Sequence, residues 1–162
     1  MNWKIGLSAI ACLSVLSGKM TIAHHGFDGK YDSSQPIYLA GTVREVRWQS
    51  PHSVLVLDVP KNLTIPSDLK QARNIDRLGD ETLASLIVPV QMLGKTQQLE
   101  FPPVGSMVNP LRDRLKVGDR VSAIVYRNCE PPNQLRVQFV QLNDGTTVVR
   151  PGTVQTEVNG CG

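Results

Sequence analysis

All three histidines of this 162-residue chain fall at two places, His24-His25 and His52, the last within Trp48-Gln49-Ser50-Pro51-His52. The first pair directly follows Thr21-Ile22-Ala23, a small-x-small signal for removal of an export leader. Cleavage after Ala23 makes His24 the first residue, with a free α-amine next to its own imidazole. Amine and ring Nδ1 together form a chelate, and a third nitrogen from His52 or His25 completes the T-shaped set known as a histidine brace. Such nitrogen-rich, near-planar sets favour Cu(II). The α-amine has an ordinary pKa of about 7.7–8.0, so a metal displaces its proton readily at neutral pH. Asp28, Asp32 and Tyr31 stand near enough in sequence to sit axially or behind the ligands, with Trp48 beside His52. Copper is the expected cofactor.

Adjacent side chains of an extended arm point to opposite sides, which makes His24 and His52 the sharper pair. A plainer reading stands beside this one. His24 and His25 are then polar residues of a chain end, and His52 hydrogen-bonds the backbone of the turn after Pro51.

Residues 1–23 read as a secretory leader, with Lys4 ahead of an apolar run over residues 5–16. Cleavage nearer Gly18 is the alternative, because Lys19 and Met20 lie late in the leader. The run is shorter than the roughly 20 residues a bilayer span needs, and no other segment comes closer. The expected protein is periplasmic or secreted. Loss of Lys4 and Lys19 leaves 15 basic residues of 17 against 14 acidic ones. The mature charge is therefore near neutral, which removes any basic patch for nucleic acid or an anionic membrane. Cys12 leaves with the leader, so Cys129 and Cys161 remain. Export permits a disulfide between them, which would pin the tail, residues 150–162, onto the turn Asn128-Cys129-Glu130-Pro131-Pro132. Separate thiols or an intermolecular link are the alternatives.

The rest of the mature chain, residues 24–149, is long enough for a single core. Residues 24–36 read as an extended arm. Residues 37–48 read as a long strand whose apolar parity changes between Val43 and Val46, as a bulge makes it. Val54-Leu55-Val56-Leu57 reads as a strand buried on both faces. The insert, residues 60–96, is predicted to hold a short helix capped by Ser67 with Leu69, Ala72, Ile75 and Leu78 on one side. A hairpin is expected over residues 88–101 around Gly94-Lys95, with Pro89 on an edge strand. Residues 106–115 suggest a helix starting at Pro110. Two alternating strands follow, over residues 121–126 and 135–139, and Asn143-Asp144-Gly145 turns into a last strand. The order fits a mainly β fold, an OB-like five-stranded Greek-key barrel with one or two short helices. A small β-sandwich is the competing architecture.

His24-His25-Gly26, Ile37-Tyr38-Leu39-Ala40-Gly41-Thr42-Val43, Trp48-x-x-Pro51-His52, Leu115-Lys116-Val117-Gly118-Asp119-Arg120-Val121 and Leu142-Asn143-Asp144-Gly145-Thr146 occur in that order. In these motifs the chain resembles a family of small exported bacterial proteins, domain-of-unknown-function family 6152. The likeness covers nearly all of the mature chain except the insert, which is longer here. Ser50 stands where the family pattern has Asn before Pro-His, so any role of that amide is in doubt. The resemblance implies an exported, compact, β-rich domain and carries no activity with it.

Enzyme chemistry finds little support, and the chain is expected not to be an enzyme. A Gly-x-Ser-x-Gly elbow is absent, and Asp80-Glu81 reads as a solvated pair rather than a catalytic one. The second functional reading is a metal-free module that binds an envelope protein or small ligand across a face near Trp48, Tyr126 and Arg136.

Overall fold

The computed structural model describes residues 30–152 and 157–161. The proposed leader and the arm residues His24, His25 and Asp28 lie outside the described residues. Strand β1 (Tyr31–Arg47) is the organising element. Its first part pairs with β4 (Arg120–Asn128), from Tyr31↔Asn128 to Thr42↔Arg120. Its second part pairs with β2 (Val54–Asp58), from Thr42↔Asp58 to Arg47↔Val54. Strand β3 (Thr96–Glu100) adds antiparallel to β2 and parallel to β5 (Leu135–Leu142), and β5 returns antiparallel to β4. The circuit β1-β2-β3-β5-β4-β1 closes a five-stranded barrel. This is the expected OB-like architecture, and closure leaves no free edge in the circuit.

The bulge falls where the apolar parity changed: register slips between Val43 and Glu45, which places Val43 and Val46 both toward the interior. Before the slip, Ile37, Leu39 and Val43 pack inward while Tyr38, Ala40 and Thr42 face out. Among the described residues, α1 (Asp80–Ala84) and α2 (Gly105–Arg112) are the two α-helices. α2, between β3 and β4, buries Met107, Val108 and Leu111 in the barrel core. It begins before Pro110, not at it: the Val104 carbonyl accepts from the Met107 and Val108 amides at 2.9 and 3.1 Å. Proline costs one intrahelical bond here, and the buried first-turn residues outweigh that loss.

Two expectations about the insert are corrected. The helix after Ser67 is two 3-10 turns, Leu69–Gln71 and Ile75–Leu78, separated where Asn74 takes a left-handed φ of 61°. Leu69 and Ile75 still reach one outer cluster, with Tyr38, Leu83, Ile124, Phe139 and Val149. The hairpin over residues 88–101 does not form. β3 pairs with β2 because Leu99 must enter the barrel interior, so residues Val90–Met92 are left as a 3-10 turn and Pro89 lies on no strand. The turn at Asn143-Asp144-Gly145 leads into β6 (Thr147–Val149), which pairs with β5 as expected.

Gly41 is held by a close approach rather than by an unusual φ. A Cβ there would collide with the backbone carbonyl of Asp58, where β1 passes the end of β2. Gly41→Ala is expected to destabilise the protein by about 1–3 kcal/mol through overpacking of a rigid backbone contact. A depressed thermal midpoint by circular dichroism checks this, and an unchanged midpoint would mean that the strands have room to separate.

Candidate functional site

The polar residues of most interest gather where β1 begins, β3 ends and the β1–β2 loop returns. His52 sits in that loop, partly buried, with Nδ1 4.0 Å from the Glu100 carboxylate at the end of β3. Glu100 is in register with Val54 on one side and Arg136 on the other. Arg136, at the start of β5, is fully buried, and its guanidinium lies 3.9 Å from the centre of the Tyr31 ring. His52, Glu100, Arg136 and Tyr31 therefore form one connected patch across four chain segments. A desolvated cation over an aromatic face is worth about 2 kcal/mol, enough to favour this stacking once the arginine is enclosed.

Burial is not cheap for a guanidinium, and the C-terminal tail supplies the compensation. Glu157, on the short strand β7 (Glu157–Val158), accepts from Arg136 at 3.3 Å and from Arg150 at 3.1 Å. Desolvation, followed by repulsion from Arg150, lowers the Arg136 pKa to about 10, although Glu157 pulls it back up. Burial likewise pushes the Tyr31 hydroxyl up to about 12, despite the nearby Arg136.

The tail is clasped from several directions. Cys129 and Cys161 form a disulfide with Cα atoms 5.1 Å apart, so the expected pairing is present. β7 pairs in parallel with Tyr31 and Asp32. Ser33 Oγ donates to the Val158 carbonyl at 3.0 Å, and the Cys129 amide donates to the Lys30 carbonyl at 2.7 Å. Asp32 accepts from Ser34 Oγ at 2.6 Å, from the Ser34 amide at 2.9 Å and from the Gly160 amide at 3.2 Å. Burial alone would raise its pKa, but these hydrogen bonds together hold it below the usual carboxylate value. Asp32, which lies in β1 rather than in the arm expected over residues 24–36, thus joins the start of that strand to the tail.

Trp48 packs against Phe101 with ring centres 6.1 Å apart, and the Arg112 guanidinium lies 5.8 Å from its ring. Tyr126 and Arg136, expected on an exposed recognition face with Trp48, are instead buried at 6% and 0% exposure. That face is not formed by these three residues. The alternation of β5 misled here, because a register slip between Ile124 and Val125 of β4 and the covering tail bury both faces of β5. Nothing in the spacing of Glu157 or Arg150 signalled that they would meet Arg136. Glu100 was equally silent, since its meaning depends on which strands flank β3. Among the described residues no group of three or more His, Cys, Asp or Glu side chains gathers as a metal site, and no helix is long and apolar enough to cross a membrane.

Two outcomes test this clasp. Tyr31, Tyr38 and Tyr126, which are all the tyrosines of the chain, have pKa values raised first of all by burial. A folded pKa above the unfolded value gives stability that is present below pH ~10 and is lost as pH rises through the folded value, about 12 for Tyr31. Native protein should therefore show little tyrosinate absorbance at pH 10, where the chain in denaturant is half ionised. Equal titration curves for the two states would contradict the burial. Separately, replacing both Cys129 and Cys161 with serine should cost about 2–4 kcal/mol in denaturant unfolding. An unchanged midpoint would mean that β7 holds without the covalent link.

None of the curated proteins matches the chain. The model of a family of unknown function, DUF6152, matches residues 10–66, which take in β1, the His52 loop and β2, and so supports the family resemblance there.

Proposed function

We propose that this is an exported copper-binding protein in which His24, as the mature N-terminus, and His52 hold one metal ion. The observation that carries the reading is the position of the arm's root. Tyr31 stacks on Arg136, Arg136 is in register with Glu100, and the Glu100 carboxylate lies 4.0 Å from His52. Tyr31, the first residue of β1, therefore lies in the same neighbourhood as His52. His24 stands seven positions before Tyr31, a reach of up to about 23 Å at ~3.3 Å per residue. The α-amine and imidazole of His24 are a chelating pair, and a second imidazole gives the nitrogen set that Cu(II) prefers.

The surroundings of His52 suit a ligand. Its Nδ1 lies 4.0 Å from the Glu100 carboxylate, beyond hydrogen-bond length but close enough for that negative charge to favour a cation bound at the ring. The clasp on Lys30, Asp32 and Ser33 fixes the chain six positions after His24, and a short tether lowers the entropy lost when His24 docks. Export fits the Cys129–Cys161 disulfide, which persists in oxidising compartments. Bound copper would supply a Lewis-acidic or redox centre, and delivery or storage of the ion needs no further machinery.

The test is a Cu(II) titration, by calorimetry and electron paramagnetic resonance, of protein that begins at His24. One-to-one binding with nitrogen hyperfine structure is expected. It should weaken by about 10–100-fold or more in His52→Ala and when one alanine is added before His24. Weak binding that ignores both changes would overturn the reading.

A further inference from the structure

We propose that the cleft between the insert and the outer wall of the barrel binds a small acidic sugar, with Arg120 receiving its carboxylate. The site shares no residue with the His52 end and does not rest on the copper reading. The cleft has a volume of about 870 Å³, within the range of about 300–1,000 Å³ typical of small-molecule sites. A hollow of about 250 Å³ continues it past Tyr38, Pro66 and Gln141.

Its chemistry follows from register. On the outer face of β1, β4 and their neighbours, side chains stand in rows across the strands. Tyr38, Ile124 and Phe139 make one row, which is apolar and covered by Leu69, Ile75 and Leu83 of the insert. The next row is Ala40, Ser122 and Gln141, and the next Asp58, Thr42 and Arg120. These two rows are left open as the cleft floor. The insert thus covers the apolar part of this face and stops where the face turns polar. Asn62 and Thr64 of the insert and Asn143 from the β5–β6 turn add further neutral polar groups around the rim.

Only two charged residues line the main cleft, Asp58 and Arg120. Asp58 is already engaged, by Arg44 at 3.3 Å and by the Thr96 hydroxyl at 2.7 Å. Among the described residues Arg120 makes no ion pair. The charge the cleft offers a ligand is therefore a single cation set among amides and hydroxyls. Amides and hydroxyls both donate and accept, which is what vicinal hydroxyl groups need, and a planar guanidinium matches a carboxylate with two parallel hydrogen bonds. Ala40, Leu63 and Pro60 supply the apolar contact for the carbon faces of a ring. A phosphate ester, with two negative charges, fits a single arginine less well.

The experiment is a titration of the full chain with glucuronate, glucose and acetate, followed by amide chemical shifts and calorimetry, in wild type and in Arg120→Gln. Saturable shifts at Ser122 and Gln141 with glucuronate are expected, at least tenfold tighter than with glucose or acetate. Arg120→Gln should lose that tenfold preference while keeping its thermal midpoint, because Arg120 is exposed. Absence of saturable binding, acetate binding as tightly as glucuronate, or an Arg120→Gln protein that binds glucuronate unchanged would each overturn the proposal.

Discussion

The fold depends on one strand serving two partners. β1 donates its first part to β4 and its second part to β2, and the barrel is closed only because the same chain turns between them. That turn concentrates the local demands of the structure. Thr42 pairs with both Asp58 and Arg120, Gly41 lets the Asp58 carbonyl approach, and the register slip after Val43 restores the apolar side to the interior. A straight strand with perfect alternation would send Val46 outward beyond the bend, so the slip is what keeps the interior apolar along the whole strand. The Gly-Thr-Val run is thus explained by closure alone.

A barrel made this way has an unprotected beginning, because Tyr31 and Asp32 lie beyond the part of β1 that β2 reaches and pair with β4 on one side only. The C-terminal tail solves that problem by pairing β7 with Tyr31 and Asp32 and by the Cys129–Cys161 link. The same tail brings Glu157 to Arg136 and Arg150. Two guanidiniums around one carboxylate make a poor net stabiliser, since desolvation of each ion opposes the attraction. Their value is specificity: a tail in any other position leaves a buried arginine without Glu157. The stacking of Tyr31 on Arg136 ties the start of the barrel to this requirement.

The barrel was legible from the sequence because it is written in local signals. The parity change at Val43 and Val46, the apolar run of β2 and the Asn143-Asp144-Gly145 turn each describe their own surroundings. The insert was not, because its apolar residues answer to the outer face of β1, β4 and β5 rather than to their own period. Leu69 and Ile75 share a cluster without sharing a helix. The supposed hairpin failed for a related reason. Gly94-Lys95 is a good turn, but the strand after it has a stronger partner in β2. At the candidate metal site, His52 was legible as a residue type, whereas Glu100 and the buried state of Arg136 follow only from barrel order and from a tail distant in sequence.

The two additions to the barrel do opposite things to its surface. The clasp removes polar groups from solvent, enclosing Arg136, Asp32 and Asn128 at the end where β1 begins. The insert removes apolar groups, covering Tyr38, Ile124 and Phe139, and leaves Ser122, Gln141 and Arg120 facing an open cleft. Neither is needed to close the strand circuit, which β1 to β5 complete without them. An enclosed charge cluster resists change, since any displaced partner leaves an ion in a poor solvent. An open polar row tolerates change at small cost in stability. The clasped end is therefore suited to holding the start of β1 in a fixed place, and the cleft is suited to having its preferences altered without harm to the fold.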